Sequence, residues 1–119
     1  MKNEMKPYDL EERTFLFAKR VRCFVAGLSK TLANNEDGKQ LIRSSGSVAA
    51  NYIEANESLS KKDFAMRIKI SRKEAKESTL WLRLIKYDGI KDRDKEKDIL
   101  IQEANELTKI FSAIVEKTK

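Results

Sequence analysis

The sequence predicts an all-α protein, folded as an up-down-up-down bundle of four antiparallel helices. Apolar residues recur at intervals of three and four along nearly the whole chain, and no stretch alternates strictly as a half-buried strand does. The 119 residues include only four Gly and one Pro, a composition that favours helices. A chain of this length has room for a single domain with one core.

The first predicted helix covers residues 9–33. Asp9 is suited to the N-cap position, and Glu12 can act as its partner three residues later. We expect the helix to end near Asn34 and Asn35. Its apolar face carries Leu10, Phe17, Val21, Phe24, Leu28 and Leu32.

The second predicted helix covers residues 37–59, and the negative charges of Glu36 and Asp37 suit its N-terminus. A polar stripe lies beside its apolar stripe, on the side that Arg43 can reach. Polar residues at this spacing are either exposed or buried and hydrogen-bonded to each other, in which case they fix the register of the helices or subunits that meet there. The apolar stripe is Leu41, Val48, Tyr52, Ala55 and Leu59, and the polar stripe is Ser44, Ser47, Asn51, Glu54 and Ser58.

The third predicted helix covers residues 61–88, after a capping pair formed by Ser60 and Asp63. Small residues in its middle allow a neighbouring helix to approach closely. Asp88 and Gly89 supply a residue that commonly ends a helix. The expected core positions are Phe64, Ile68, Ser71, Ala75, Ser78, Leu82 and Ile85.

The fourth predicted helix covers residues 92–117. The three short connections force sequential helices to be antiparallel, in a bundle roughly 30 to 40 Å long. The apolar face of this helix carries Leu100, Ala104, Leu107, Phe111 and Ile114.

The third helix carries a second apolar stripe beside its core face. The combined apolar arc is roughly 200° wide, whereas a surface helix needs about 100°. Either the helix is central and well buried in its own bundle, or the stripe is a subunit interface with Trp81 as its anchor. The stripe consists of Met66, Ile70, Trp81 and Leu84, and it includes Glu77.

The remaining face of the third helix is basic. Residues 61–76 hold seven basic residues against two acidic ones, within a chain of net charge +6. Such a face can follow a phosphate backbone, and each contact then releases a counterion. The alternative is a solvated face that keeps the protein soluble. The candidate nucleic-acid-binding residues are Lys62, Lys69, Arg72, Lys73 and Lys76.

Composition argues against catalysis. The chain has no His and a single Cys, so the commonest general base and the usual zinc ligands are missing. Glu54 and Glu57 could exchange protons, but a di-metal bundle site needs Glu-x-x-His pairs. We expect no enzymatic activity, no cofactor and no metal. Because no run of about 18 apolar residues occurs, we also expect a soluble, cytoplasmic protein that makes no membrane contact.

Residues 41–55, 61–64 and 74–84 resemble the bacterial four-helix bundle proteins encoded in intervening sequences of 23S ribosomal RNA genes, also called S23 ribosomal proteins. The resemblance extends more weakly to residues 9–10 and 103–107. Its most specific pattern is Arg-Ser, Ser-Val, Ala-Asn and Glu along the second helix. In this sequence that pattern is Arg43-Ser44, Ser47-Val48, Ala50-Asn51 and Glu54.

The resemblance implies a left-handed antiparallel bundle that assembles as a ring-shaped homopentamer without known enzymatic activity. The family is similar to the accessory protein of diversity-generating retroelements, a basic pentameric bundle that associates with nucleic acid and a reverse transcriptase. Where family members often have Gly after the second-helix Glu, this chain has Ala55. The residues that match the family's polar seam and interface pattern are Arg43, Ser47, Asn51, Glu54, Glu77 and Trp81.

Taken together, these features predict a non-catalytic homo-oligomer whose basic surface binds RNA or DNA, as an accessory to another nucleic-acid enzyme. The alternative is a protein–protein adaptor whose positive charge is incidental. The two differ in salt-dependent binding to RNA and DNA of random sequence, which the adaptor lacks.

Overall fold

The computed structural model of the protein describes residues 9–86 and 91–119, and these ranges contain four α-helices and no strand. The all-α prediction is therefore confirmed. None of the described helices is both long enough and apolar enough to cross a membrane. The helices are α1 (Leu10–Ala26), α2 (Leu32–Asn56), α3 (Lys61–Leu84) and α4 (Lys91–Lys117).

Hydrogen bonds between neighbouring helices show that they run antiparallel. Between α2 and α3, Ser44 meets Ser78 while Asn51 meets Arg67, so residue numbers rise along one helix as they fall along the other. Each helix packs on its neighbours in the chain, and α4 closes the bundle against α1. α3 and α4 are antiparallel as well, because Arg72 meets Ser112 while Thr79 meets Asn105. The same holds for α1 and α4, where Arg13 meets Glu103 and Arg20 meets Glu96.

The core lies along the bundle axis and takes apolar side chains from all four helices. The rings of Tyr52 on α2 and Phe111 on α4 meet across the bundle, with centroids 6.0 Å apart and planes tilted by 44°. This geometry is typical of a favourable tilted aromatic pair. Buried core side chains include Phe17, Val21, Leu41, Val48, Ile68, Leu82, Leu100 and Leu107.

The connection between α1 and α2 differs from the prediction. α1 ends at Ala26 rather than near residue 33, and Gly27 follows it as the C-cap. Thr31 is extended, and its side-chain oxygen accepts a hydrogen bond from the Asn34 backbone N–H at 3.1 Å. This N-cap starts α2 at Leu32, five residues before the predicted position, because a Thr cap outweighs the acidic pair further on.

Two predicted core residues are exposed as a result of how the helices end. Leu32, expected on the apolar face of α1, is exposed as the first residue of α2. Leu59, expected on the apolar stripe of α2, is fully exposed, because α2 ends at Asn56 and the chain turns before reaching it. Asp9 precedes α1 as predicted, but its side chain makes no capping hydrogen bond.

The other helix ends agree better with the sequence. The Ser60 side-chain oxygen accepts a hydrogen bond from the Asp63 N–H at 3.1 Å, which confirms the predicted cap of α3. α3 ends at Leu84, and the predicted stop at Asp88 and Gly89 lies outside the described residues. Beyond Leu84, the buried Lys97 of α4 donates from Nζ to the Ile85 carbonyl, and burial lowers the pKa of this lysine.

Candidate functional site

Small, hydroxyl-bearing side chains join α2 and α3. The Oγ atoms of Ser44 and Ser78 lie 2.8 Å apart, and both residues are fully buried. Ser71 donates from Oγ to the Val48 carbonyl oxygen at 3.0 Å. Because these side chains are short, the two helices approach closely and make the most extensive contact of any helix pair in the bundle.

The predicted polar stripe of α2 is partly hydrogen-bonded and partly exposed. Asn51 donates from Nδ2 to the Ser47 Oγ at 2.9 Å, and its Oδ1 accepts from Arg67 Nη1 at 3.0 Å. Arg43 reaches Glu77 of α3 with a longer contact of 3.5 Å. Arg67, which donates to Asn51, was not among the predicted site residues. It lies about one helical turn before Ile70, at the edge of the second apolar stripe.

The second apolar stripe of α3 is only half covered by its own bundle. Ile70 and Trp81 are half-buried, and Trp81 packs against the core. Met66 and Leu84 remain 52% and 51% exposed. Each of the two interpretations left open by the sequence therefore describes part of the stripe, because one half packs inside the bundle and the other half faces outward.

The stripe of α3 and the polar rim of α2 form one continuous surface. Arg43 contacts Glu77, and Glu54 lines the same shallow groove as Met66, with a volume of about 330 Å³. We call this surface the seam face. Its residues are Arg43, Ser47, Asn51 and Glu54 of α2 with Met66, Ile70, Glu77, Trp81 and Leu84 of α3.

The seam face borders two unpaired polar atoms. Among the buried side-chain nitrogens and oxygens of the described residues, Glu74 Oε1 and Trp81 Nε1 are the two without a hydrogen-bond partner. Glu74 is only 6% exposed, and Lys73 Nζ lies 3.8 Å from its other oxygen. Such atoms typically cost about 1–3 kcal/mol each. Glu74 was not predicted as a site residue, although it stands three residues after Ser71 and four before Ser78, at core spacing.

The basic face of α3 lies beside the seam face. Lys62, Lys69, Lys73 and Lys76 are exposed, and we call these four residues the lysine stripe. Positions 62, 69 and 76 are separated by two helical turns, or about 10 Å. The fifth predicted residue, Arg72, is half-buried and points its Nη1 toward Ser112 Oγ of α4, at 3.5 Å.

On the opposite side of the bundle, α1 and α4 are joined by ion pairs that were not among the sequence predictions. Arg13 Nε and Nη2 donate to both oxygens of Glu103 at 2.7 and 2.9 Å, and Nη2 also donates to Glu106 at 2.8 Å. Arg20 binds both oxygens of Glu96 at 3.0 and 2.7 Å. The sequence does contain a signal for these pairs, because Arg13 and Arg20 are seven residues apart and so are Glu96 and Glu103.

The pKa values of Arg13, Arg20 and Glu106 are shifted by these contacts. Hydrogen bonding to Glu103 raises the pKa of Arg13, and hydrogen bonding to Glu96 raises the pKa of Arg20. Hydrogen bonds from Gln102 and then from Arg13 lower the pKa of Glu106. The hydrogen bonds link the outer edges of α1 and α4 and favour the charged forms of Arg13, Arg20 and Glu106.

The described part of the chain gathers no metal-binding cluster. No group of three or more His, Cys, Asp or Glu residues in residues 9–86 and 91–119 could hold a metal ion. Cys23 is free and exposed on α1. The groups that do converge are the seam face, the lysine stripe and the α1–α4 ion pairs.

The fold and the family are identified by comparison with known proteins. A solved structure from Bacteroides thetaiotaomicron, a protein of unknown function from the S23 ribosomal protein family, is similar with a TM-score of 0.70 and 24% identity. The match covers 88% of this chain and 96% of that one, and it supports the fold alone. No curated protein matches the chain. The family model for the 23S rRNA-intervening sequence protein matches residues 8–113. The chain therefore belongs to the 23S rRNA-intervening sequence protein family.

Proposed function

We propose that this protein is a non-catalytic homo-oligomer that binds RNA or DNA through the lysine stripe, as an accessory to a nucleic-acid enzyme such as a reverse transcriptase. The observation that carries the proposal is the segregation of four exposed lysines on one side of α3. Among the ion pairs of the described residues, the stripe takes part in one, the 3.8 Å contact of Lys73 with Glu74.

Exposed lysines on one face favour a polyanionic partner. A phosphate backbone that contacts them releases condensed counterions, and the affinity then falls steeply as salt rises. Arg72 contributes from the edge of the stripe, where its contact with Ser112 holds it toward α4. An oligomer repeats the stripe once in every copy, which multiplies the number of phosphate contacts along one strand.

The nucleic-acid site is tested by charge reversal. Replacing Lys62, Lys69, Lys73 and Lys76 with Glu should abolish retention of RNA and DNA of random sequence in a gel shift at low salt, with the circular-dichroism helix signal intact. The matched control reverses four exposed lysines outside α3 and should retain most of the binding. That control replaces Lys30, Lys39, Lys95 and Lys117 with Glu.

The salt dependence separates the proposal from the adaptor alternative. Four phosphate contacts per copy contribute about −3 to the slope of log affinity against log salt for each copy that contacts the strand, at about −0.7 to −0.9 per contact. Equal loss of binding in both charge-reversed variants would reject the lysine stripe as the site. A wild-type protein that binds neither RNA nor DNA at physiological ionic strength would favour the adaptor. Labelled RNA incubated with Mg²⁺ should remain uncut.

The oligomeric part of the proposal assigns the seam face to a contact with a second copy of the chain. Its support is the exposure of Met66 and Leu84 beside two buried polar atoms without partners. Apolar side chains rimmed by polar groups are typical of subunit interfaces. Trp81 contributes as the large side chain between them, although part of its surface already packs on the core.

The seam face is tested by placing charge on its exposed apolar residues. The double variant Met66→Asp and Leu84→Asp should shift the protein to monomers in light scattering, because burying an unpaired charge is costly. Ile53→Asp is the control, since Ile53 of α2 is 48% exposed but is not part of the seam face. A double variant with the wild-type mass would show that the seam face is not an interface.

A further inference from the structure

Arg83 continues the line of exposed cations toward the C-terminal end of α3. It lies seven residues after Lys76, as Lys76 lies seven after Lys69 and Lys69 seven after Lys62. Arg83 is exposed, and none of the ion pairs among the described residues includes it. It was not among the predicted site residues, because the basic excess was counted over residues 61–76 alone. We call Lys62, Lys69, Lys76 and Arg83 the cation row.

The cation row is nearly straight. Each step of seven residues spans about 10 Å along the helix axis and turns by about 20° around it, so the row is about 30 Å long and keeps to one side of α3. This length is close to one turn of a nucleic-acid duplex, which is about 34 Å.

The acidic residues of α3 lie away from the cation row. Glu77 contacts Arg43 of α2, and Glu74 is buried. Asp63 lines the shallow groove beside Glu54. The side of α3 that carries the row therefore presents positive charge along its whole length.

A straight row of cations on a rigid helix favours a stiff ligand. A duplex is stiff over about 150 base pairs, so it can lie along the row without losing conformational freedom. A single strand would first have to be straightened over the same length, which costs conformational entropy. The duplex also has the denser charge, with one phosphate per about 1.7 Å of its axis against one per about 3.4 Å for one strand.

The side chains near the row do not supply what a single strand needs. Proteins that bind single strands combine cations with aromatic side chains on which the bases stack. The two aromatic residues of α3, Phe64 and Trp81, both pack against the core. Leu80, which is 45% exposed between Lys76 and Arg83, offers an aliphatic contact and no ring. A duplex needs no such platform, because its bases are already stacked on each other.

We propose that the cation row binds the phosphate backbones of a nucleic-acid duplex, of DNA or RNA, along about one helical turn, and that Arg83 is one of the binding residues. This inference rests on the proposed function, which makes the lysine stripe a nucleic-acid site, and it adds the class of nucleic acid and a further contact. Because phosphate contacts carry no sequence information, duplexes of different sequence should bind alike.

The class of ligand is tested with a fluorescein-labelled duplex of about 12 base pairs, which is long enough for one cation row. It is prepared once as DNA and once as RNA, and the anisotropy of each duplex and of its separated strands is measured with the wild-type protein. At about 50 mM salt, at least one duplex should bind about tenfold more tightly than either of its strands, because the salt slope per contact is about −0.9 for a duplex and about −0.7 for a single strand. The duplex that binds identifies DNA, RNA or both as the ligand.

The role of Arg83 is tested by removing its charge. Arg83→Gln should weaken duplex binding about tenfold at about 50 mM salt and make the salt slope shallower by about 0.9 for each copy in contact. Arg83→Lys, which keeps the charge, should retain most of the affinity. Lys39→Gln is the matched control and should bind as the wild type does, because Lys39 is 75% exposed on α2, outside the row.

Different failures overturn different statements. Strands that bind as tightly as their duplexes would overturn the duplex as the ligand and leave the proposed function in place. Wild-type affinity and salt slope in Arg83→Gln, or an equal loss in Arg83→Lys, would remove the charge of Arg83 from the site. A wild-type protein that binds neither duplexes nor strands would overturn the proposed function itself.

Discussion

The α2–α3 pair and the α1–α4 pair are held together by different means. α2 and α3 meet through buried serines, with the Ser44 and Ser78 oxygens 2.8 Å apart, and the helices are close enough to exclude larger side chains. α1 and α4 meet through ion pairs at their outer edges, of which Arg13 with Glu103 is the least exposed, and a groove of about 430 Å³ lies between them.

This difference shows how the length of the side chains between two helices affects which apolar surface remains exposed. Short buried hydroxyls bring two backbones together and leave the larger apolar side chains of α3, such as Met66, on the outside. Long charged side chains bridge helices at a distance and leave apolar surface such as Leu16 uncovered between them. We therefore expect the α2–α3 contact to tolerate little change in volume and the α1–α4 contact to respond mainly to charge.

The largest effect is expected from enlarging a buried serine of α3. Ser71→Leu should lower the free energy of unfolding by about 3 kcal/mol, because the site has no room for the added methylenes and the hydrogen bond to Val48 is lost. Urea denaturation measures the change. Ser71→Ala, the control for the hydrogen bond alone, should cost about 1 kcal/mol. Equal costs for Leu and Ala would show that the helices are not tightly packed there.

The serine pair itself should show coupling. Ser44→Ala and Ser78→Ala should each cost about 1 kcal/mol, and the double variant should cost less than their sum, because each single change removes the same hydrogen bond. Chemical denaturation of the four proteins gives the coupling energy. Strictly additive costs would mean that the two hydroxyls do not stabilise the pair of helices.

A smaller effect is expected for the ion pairs between α1 and α4. Arg13→Met should lower the free energy of unfolding by about 1 kcal/mol at low salt, because Arg13 and Glu103 are mostly buried and bind through two hydrogen bonds. High salt should reduce the difference between the variant and the wild type. A loss that does not change with salt would indicate that the methylene groups of Arg13, and not its charge, contribute to the free energy of unfolding.

The smallest effect concerns the titration of Glu106. Its pKa in the folded protein is lowered, first by the hydrogen bond from Gln102 and then by the one from Arg13. The interaction therefore contributes stability above the ordinary carboxyl pKa of 4.5, and this contribution is lost as the pH falls through the lower folded value. Gln102→Ala should move the pKa of Glu106 upward in a carbon-13 NMR titration, and an unchanged value would contradict the assignment.

Periodicity was sufficient for the parts of the fold that depend on an apolar face. The spacing of Leu41, Val48 and Tyr52 predicted the buried side of α2, and the Ser60 cap was identified from its residue type. The end of α1 was misplaced, because Leu28 and Leu32 continue the apolar pattern past Gly27 while the chain has already left the helix. Capping residues determine where the helices begin and end. The start of α2 was misplaced because the acidic residues Glu36 and Asp37 suggested a later N-terminus than the Thr31 cap provides.

The residues of the candidate site could be predicted only where all of them lie on one helix. The lysine stripe and the second apolar stripe could both be identified from α3 alone. The ion pairs between α1 and α4 join two helices that are far apart in sequence, so they can be predicted only once the antiparallel register of these helices is known. Whether Glu74 is buried depends likewise on how closely α2 packs against it.

The central claim is that one copy of the chain leaves its seam face uncovered, and the mass of the wild-type protein in solution tests it most directly. Sedimentation velocity over a range of concentrations should give a discrete species several times heavier than the 13.7 kDa chain, and the Met66→Asp and Leu84→Asp variant should return it to the mass of one chain. A folded wild-type protein that sediments at 13.7 kDa at every concentration would contradict the account.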